Sequence, residues 1–69
     1  MAKNKTGFST NLKRLRNLKR DTQQSLSEKI NVSRPMIGSY EEGRCKPSHE
    51  TLIVMADYFG VTVDELIRD

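Results

Sequence analysis

Arg34, Pro35, Met36 and Ser39 stand within eight residues, SRPMIGSY, with no histidine or cysteine among them. Their chemistry is recognition. The planar arginine fork matches the two acceptors on a guanine edge, O6 and N7, and a proline ring offers an apolar surface to a thymine methyl. The short serine hydroxyl reaches a base only by close approach or through water. Elsewhere the chain is poor in reactive groups. The single Cys45 and single His49 fall short of the four ligands a structural zinc needs, and one cysteine forms no internal disulfide. No nucleophile with a neighbouring base, no metal cluster and no phosphate-cradling glycine loop is present. The sequence therefore gives no support to an enzyme, a metal centre, a resident cofactor or an evident small-molecule ligand.

Charge points the same way as the arginine. Residues 1 to 20 hold seven Lys or Arg and no acid, whereas residues 47 to 69 hold Arg68 against five acids. One end of the chain suits a polyanion and the other is turned from it, although the net charge is only +3. At 69 residues there is room for one domain and little interior for a deep substrate cavity. No apolar run approaches the ~20 residues that span a bilayer, and the basic N-terminus lacks the apolar stretch of a signal peptide. A soluble cytoplasmic protein with no membrane partner is expected.

The elements that must hold these residues are short helices. Residues 1–7 are polar and basic without periodicity and read as a flexible arm, leaving 8–69 as the domain. Phe8, Leu12, Leu15 and Leu18 form a stripe about 120° wide on a first helix, with Ser9 as its cap. Thr22 starts a second helix, with Leu26 and Ile30 inward. Asn31 leaves it through the left-handed conformation that asparagine tolerates. Ser33 then caps a third helix, Arg34 to about Glu42, flanked by Val32 and Ile37 at hydrophobic-staple spacing. Pro35 falls in the first turn, where its missing N–H would have no intrahelical partner, so the helix survives it. Gly38 costs about 1 kcal/mol relative to alanine there, and either admits a close backbone approach or is tolerated without purpose. Gly43 supplies a left-handed stop and Arg44 to Pro47 form a loop. Ser48 caps a fourth helix with Leu52, Met55, Ala56 and Phe59 inward. Thr62 to Glu65 form a capping box opening a fifth. The expected fold is all-α, five helices in one domain.

The tight connection Asn31-Val32-Ser33 between the second and third helices, anchored by Leu26, Ile30, Val32 and Ile37, has helix-turn-helix spacing. Over Phe8 to about Ile67, through TQQSLSEKINVSRPMIGSYEEGRCKPS and TL...A..FGVTVDEL, the chain resembles the lambda-repressor-like DNA-binding domains of the phage repressor and Cro class. The resemblance implies a bacterial or phage transcriptional regulator, a repressor, working at the nucleoid. Its third helix would lie in the major groove of double-stranded DNA. It further implies that Gln23, at the start of the second helix, touches backbone phosphate, that Arg34, Pro35 and Ser39 face the bases, and that Arg16 pairs with Glu41 as a structural tie. Ser33 and the loop residues Arg44 and Lys46 are expected on phosphates, with Met36 and the arm residues Lys3 and Lys5 as further candidates for contact. Such modules bind inverted repeats two-fold, so a weak homodimer is expected, with Val63 and Ile67 of the acidic C-terminal third as its contact.

The chain departs from the family pattern in three places. Arg20 and Asp21 stand where a glycine and an apolar residue often precede the second helix. Leu18 is expected to fill the space that Asp21 leaves beside Leu26. His49 replaces an apolar residue and Asn31 the usual turn glycine. The alternative functions are a protein-interaction module of the same fold, such as an antitoxin or adaptor, and the DNA-binding domain of a longer regulator.

Overall fold

Each of five helices sends one wholly buried side chain to a common centre: Leu12, Leu26, Ile37, Met55 and Leu66. The computed structural model describes residues 7–69, so the contacts expected of Lys3 and Lys5 lie outside the described residues. The helices are α1 (Gly7–Leu18), α2 (Gln23–Ile30), α3 (Arg34–Glu42), α4 (His49–Phe59) and α5 (Val63–Ile67), with no strand among the described residues. α1 packs on α3 and α5, α2 on α3 and α4, and α4 on α5. The body measures 33 × 24 × 22 Å. Phe8 and Tyr40 meet edge to face, with ring centroids 5.7 Å apart, and seal α1 against α3. Leu15, Val32, Leu52, Phe59, Val61 and Val63 pack around this centre.

The helix ends follow local chemistry closely. Thr22, Ser33, Ser48 and Thr62 each accept a backbone N–H three residues on through the side-chain oxygen. Asn31, Gly43 and Gly60 close α2, α3 and α4 in the left-handed region. Arg20 also takes a positive φ of 62°, at the position where the resemblance leads one to expect glycine.

Two expectations at α1 are corrected. Ser9 does not cap the helix but lies inside it and is buried, because the chain is already helical at Gly7. A Cβ on Gly7 would sit 2.6 Å from the Arg68 carbonyl oxygen, so glycine lets the start of α1 press against the end of the chain. The same junction is tied by Asn11, whose Nδ2 donates to the carbonyls of Leu66 (2.9 Å) and Arg68 (2.8 Å), carbonyls at the end of α5. Leu18 is 68% exposed rather than inward. It is the last residue of α1 and lies about 120° around the helix from Leu12.

The place expected for Leu18 is occupied by a polar cluster. Asp21 is buried and its carboxylate accepts from Ser25 Oγ at 2.7 Å, Lys29 Nζ at 3.0 Å and the Tyr58 hydroxyl. Lys19 lies 4.8 Å from the Tyr58 ring centroid. The chain thus replaces an apolar anchor with a satisfied carboxylate that ties α2 to α4. The Tyr58 hydrogen bond, then those of Ser25 and Lys29, hold the Asp21 carboxyl at about 2, below the usual 3.8. A carboxylate with a depressed folded-state pKa stabilises above its unfolded value and loses that stabilisation as pH falls through the folded one. The advantage of the wild type over Asp21→Asn in urea melts is therefore expected to shrink by about 2 kcal/mol between pH 5 and pH 2. An advantage constant across that range would show that Asp21 is not held as described.

Candidate nucleic-acid interface

The inward side of α3 is fixed by Ile37, Tyr40 and Glu41, all buried, at helical spacing. That leaves Arg34, Pro35 and Met36 exposed and Ser39 partly so. The entry to α3 is rigid for local reasons. Ser33 Oγ accepts the Met36 N–H at 3.3 Å, Val32 packs on the core, and Pro35 fixes the backbone of the first turn. Arg34 makes no hydrogen bond or ion pair among the described residues, so its guanidinium is open to an incoming acceptor.

The seat of α3 is set by an ion pair deeper in the fold. Arg16 of α1 holds Glu41 of α3 by two bonds, Nε to Oε2 at 2.6 Å and Nη2 to Oε1 at 3.2 Å. Its remaining Nη1 donates to the Asp21 carbonyl at 2.9 Å. The Glu41 side chain is 4% exposed and that of Arg16 11%, so solvent screens the pair little. Gln23, at the first position of α2, joins the same group through Nε2 to Glu41 Oε1 at 3.1 Å. A Cβ on Gly38 would rest 3.9 Å from Gln23 Oε1, an ordinary contact, so packing in the free protein does not demand glycine there.

The loop after α3 carries two of the expected cations in different states. Arg44 is engaged with Glu42, Nη1 to Oε1 at 2.9 Å, and donates weakly to Ser39 Oγ at 3.4 Å. Lys46 is exposed and carries no ion pair among the described residues. Arg44 must exchange Glu42 for any other anion, whereas Lys46 is available as it stands. Both members of the Arg44 and Glu42 pair are exposed, so that exchange is inexpensive.

Arg34, Pro35 and Met36 thus share the first turn of α3, with Ser39 a turn further on. Ser33 precedes them, Arg44 reaches Ser39 from the loop, and Gln23 is drawn to the same helix through Glu41. Sequence reasoning missed Asp21 and Asn11 as the groups that hold α2 and α1 in place. The spacing of Asp21, just before the cap of α2, from Ser25 and Lys29 on that helix was a usable signal for the first. Asn11 had none, since its acceptors lie more than fifty residues away. No group of three or more His, Cys, Asp or Glu among the described residues could hold a metal ion, and no helix there is long and apolar enough to cross a membrane.

This arrangement has relatives. YqaE of Bacillus subtilis (strain 168), named an uncharacterized HTH-type transcriptional regulator, is 38% identical over 61 residues, 88% of this chain and 53% of YqaE. The HTH-type transcriptional activator BcrR of Enterococcus faecalis is 40% identical over 60 residues, 87% of this chain and 29% of BcrR. A transcriptional regulator from Listeria innocua superposes with a TM-score of 0.81 at 35% identity, over 87% of this chain and 56% of that one. The chain therefore spans about half the length of YqaE and of the Listeria regulator, and less of BcrR. The helix-turn-helix family model matches residues 12–66, from the core of α1 through α5, and the chain belongs to the helix-turn-helix family.

Proposed function

We propose that the chain is a sequence-specific double-stranded DNA-binding transcriptional regulator, acting as a repressor in the cytoplasm at an inverted-repeat operator. The observation that carries this reading is the open, unpaired Arg34 at the start of a rigidly seated α3. In the bound state Arg34 takes a guanine edge, Pro35 a thymine methyl, and Ser39 a base directly or through water, with Met36 beside them. Gln23, Ser33, Arg44 and Lys46 grip phosphates and set the register without reading sequence. Lys3 and Lys5 are candidates for extending that grip along the backbone. One such module reads few base pairs, so two copies share a palindrome, with half-sites about one DNA turn apart. The half-buried Val63 and exposed Ile67 on the acidic end of the molecule serve as the contact between them.

Repression follows from occupancy alone when the operator overlaps a promoter. Activation is the second reading, favoured by the name of the BcrR relative. Selection of bound sites from random double-stranded DNA, followed by sedimentation on the selected duplex, tests the proposal. An inverted repeat carrying two protomers supports it. Failure to enrich any sequence, or strictly one protomer per palindrome, contradicts it. A reporter placed downstream of the selected site separates repression from activation.

A further inference from the structure

Gln23 is exposed enough to meet a phosphate yet is not free to swing. Its Nε2 donates to Glu41 Oε1 at 3.1 Å, and that carboxylate is itself held by Nε and Nη2 of Arg16. An amide nitrogen carries two hydrogens, and Glu41 takes one. The other, together with the backbone N–H groups of Gln23 and Gln24 that have no intrahelical carbonyl to reach, remains for an anion at the start of α2.

Resting on the DNA-binding reading above, we propose that Glu41 is a positioning residue for the phosphate grip. It orients the Gln23 carboxamide before DNA arrives, and so couples the grip at the start of α2 to the seat of α3. The physical basis is entropic. A glutamine side chain that is already ordered loses little rotamer freedom on binding, whereas a free one must be immobilised at that moment. A single buried group thereby serves α1 through Arg16 and α2 through Gln23, from its place on α3.

The test compares Gln23→Met, Glu41→Gln and the double variant. Binding is measured on a selected site and on scrambled DNA, at a temperature where circular dichroism shows each variant folded. Gln23→Met is expected to weaken both DNAs alike, by about tenfold for one lost charge-assisted bond. Glu41→Gln is expected to weaken scrambled DNA, where base reading by α3 contributes little, in the same proportion. The double variant is expected to be no weaker than the worse single one, because one residue acts through the other. Losses that add, or a Gln23→Met protein that binds as the wild type does, overturn the proposal. A wild-type chain with no preference for any sequence overturns instead the reading beneath it.

Should Glu41→Gln fail to fold, nitrogen-15 relaxation of the wild-type side-chain amides decides the matter without it. Gln23 Nε2 is expected to be nearly as ordered as the backbone in free protein, and the exposed Asn17 amide mobile. Equal mobility of the two overturns the proposal.

Discussion

Replacing Glu41 by alanine is expected to remove about 3 to 5 kcal/mol of stability, the loss that follows when one member of a buried pair is taken away. Arg16, with its side chain 11% exposed, would be left with the Asp21 carbonyl as its one partner among the described residues. A chain of 69 residues has roughly 3 to 10 kcal/mol in all, so the variant should be partly unfolded at ordinary temperature. Urea melts followed by far-ultraviolet circular dichroism will read this directly. A double replacement by apolar residues, Arg16→Met with Glu41→Leu, should be milder than Glu41→Ala alone, because neither leaves a charge stranded. A Glu41→Ala midpoint equal to that of the wild type would contradict the account of how α1 and α3 are joined. Since Gln23 shares the same carboxylate, the variant should also loosen the start of α2.

What the sequence made readable divides by distance along the chain. The caps at Thr22, Ser33, Ser48 and Thr62 and the left-handed stops at Asn31, Gly43 and Gly60 involve partners three to five residues away. These positions announce themselves by residue type and spacing. The five helices and their inward faces followed from the same local rules. The Arg16 and Glu41 pair spans twenty-five residues and was reached only through the resemblance to a known family. Three features were misread or unseen, two of them because their partners lie far along the chain. Ser9 has the residue type of a cap but lies inside α1, where Gly7 packs against Arg68 from the far end of the sequence. Leu18 continues an apolar stripe by type, yet α1 ends there. Asp21 looks like a broken staple until Tyr58, thirty-seven residues on, supplies its hydroxyl.

The candidate interface was readable in its residue types and not in its couplings. Arg34, Pro35 and Ser39 stand out because α3 has a defined start and a defined inward face. That Arg44 is already engaged by Glu42 and Ser39, or Gln23 by Glu41, could not be read from spacing. The first of these sharpens the choice of variants. Arg44 exchanges one anion for another on binding, so its removal mixes two effects. Lys46 carries no ion pair among the described residues and gives the cleaner measure of a phosphate contact.

Reading and gripping DNA should therefore differ in kind when Arg34→Ala is set beside Lys46→Ala. Loss of a guanine-holding fork is expected to cost about 1 to 3 kcal/mol on the selected site and to flatten discrimination at one base pair. Loss of a phosphate contact is expected to weaken selected and scrambled DNA alike and to make log K against log salt shallower by about one unit. The deciding measurement is the affinity of Arg34→Ala for the selected site, its single-base variants and a scrambled duplex, across a salt series. The account expects discrimination to vanish at one position and persist at the others. An Arg34→Ala protein that binds every sequence more weakly by the same factor would contradict the assignment of α3 as the reading element.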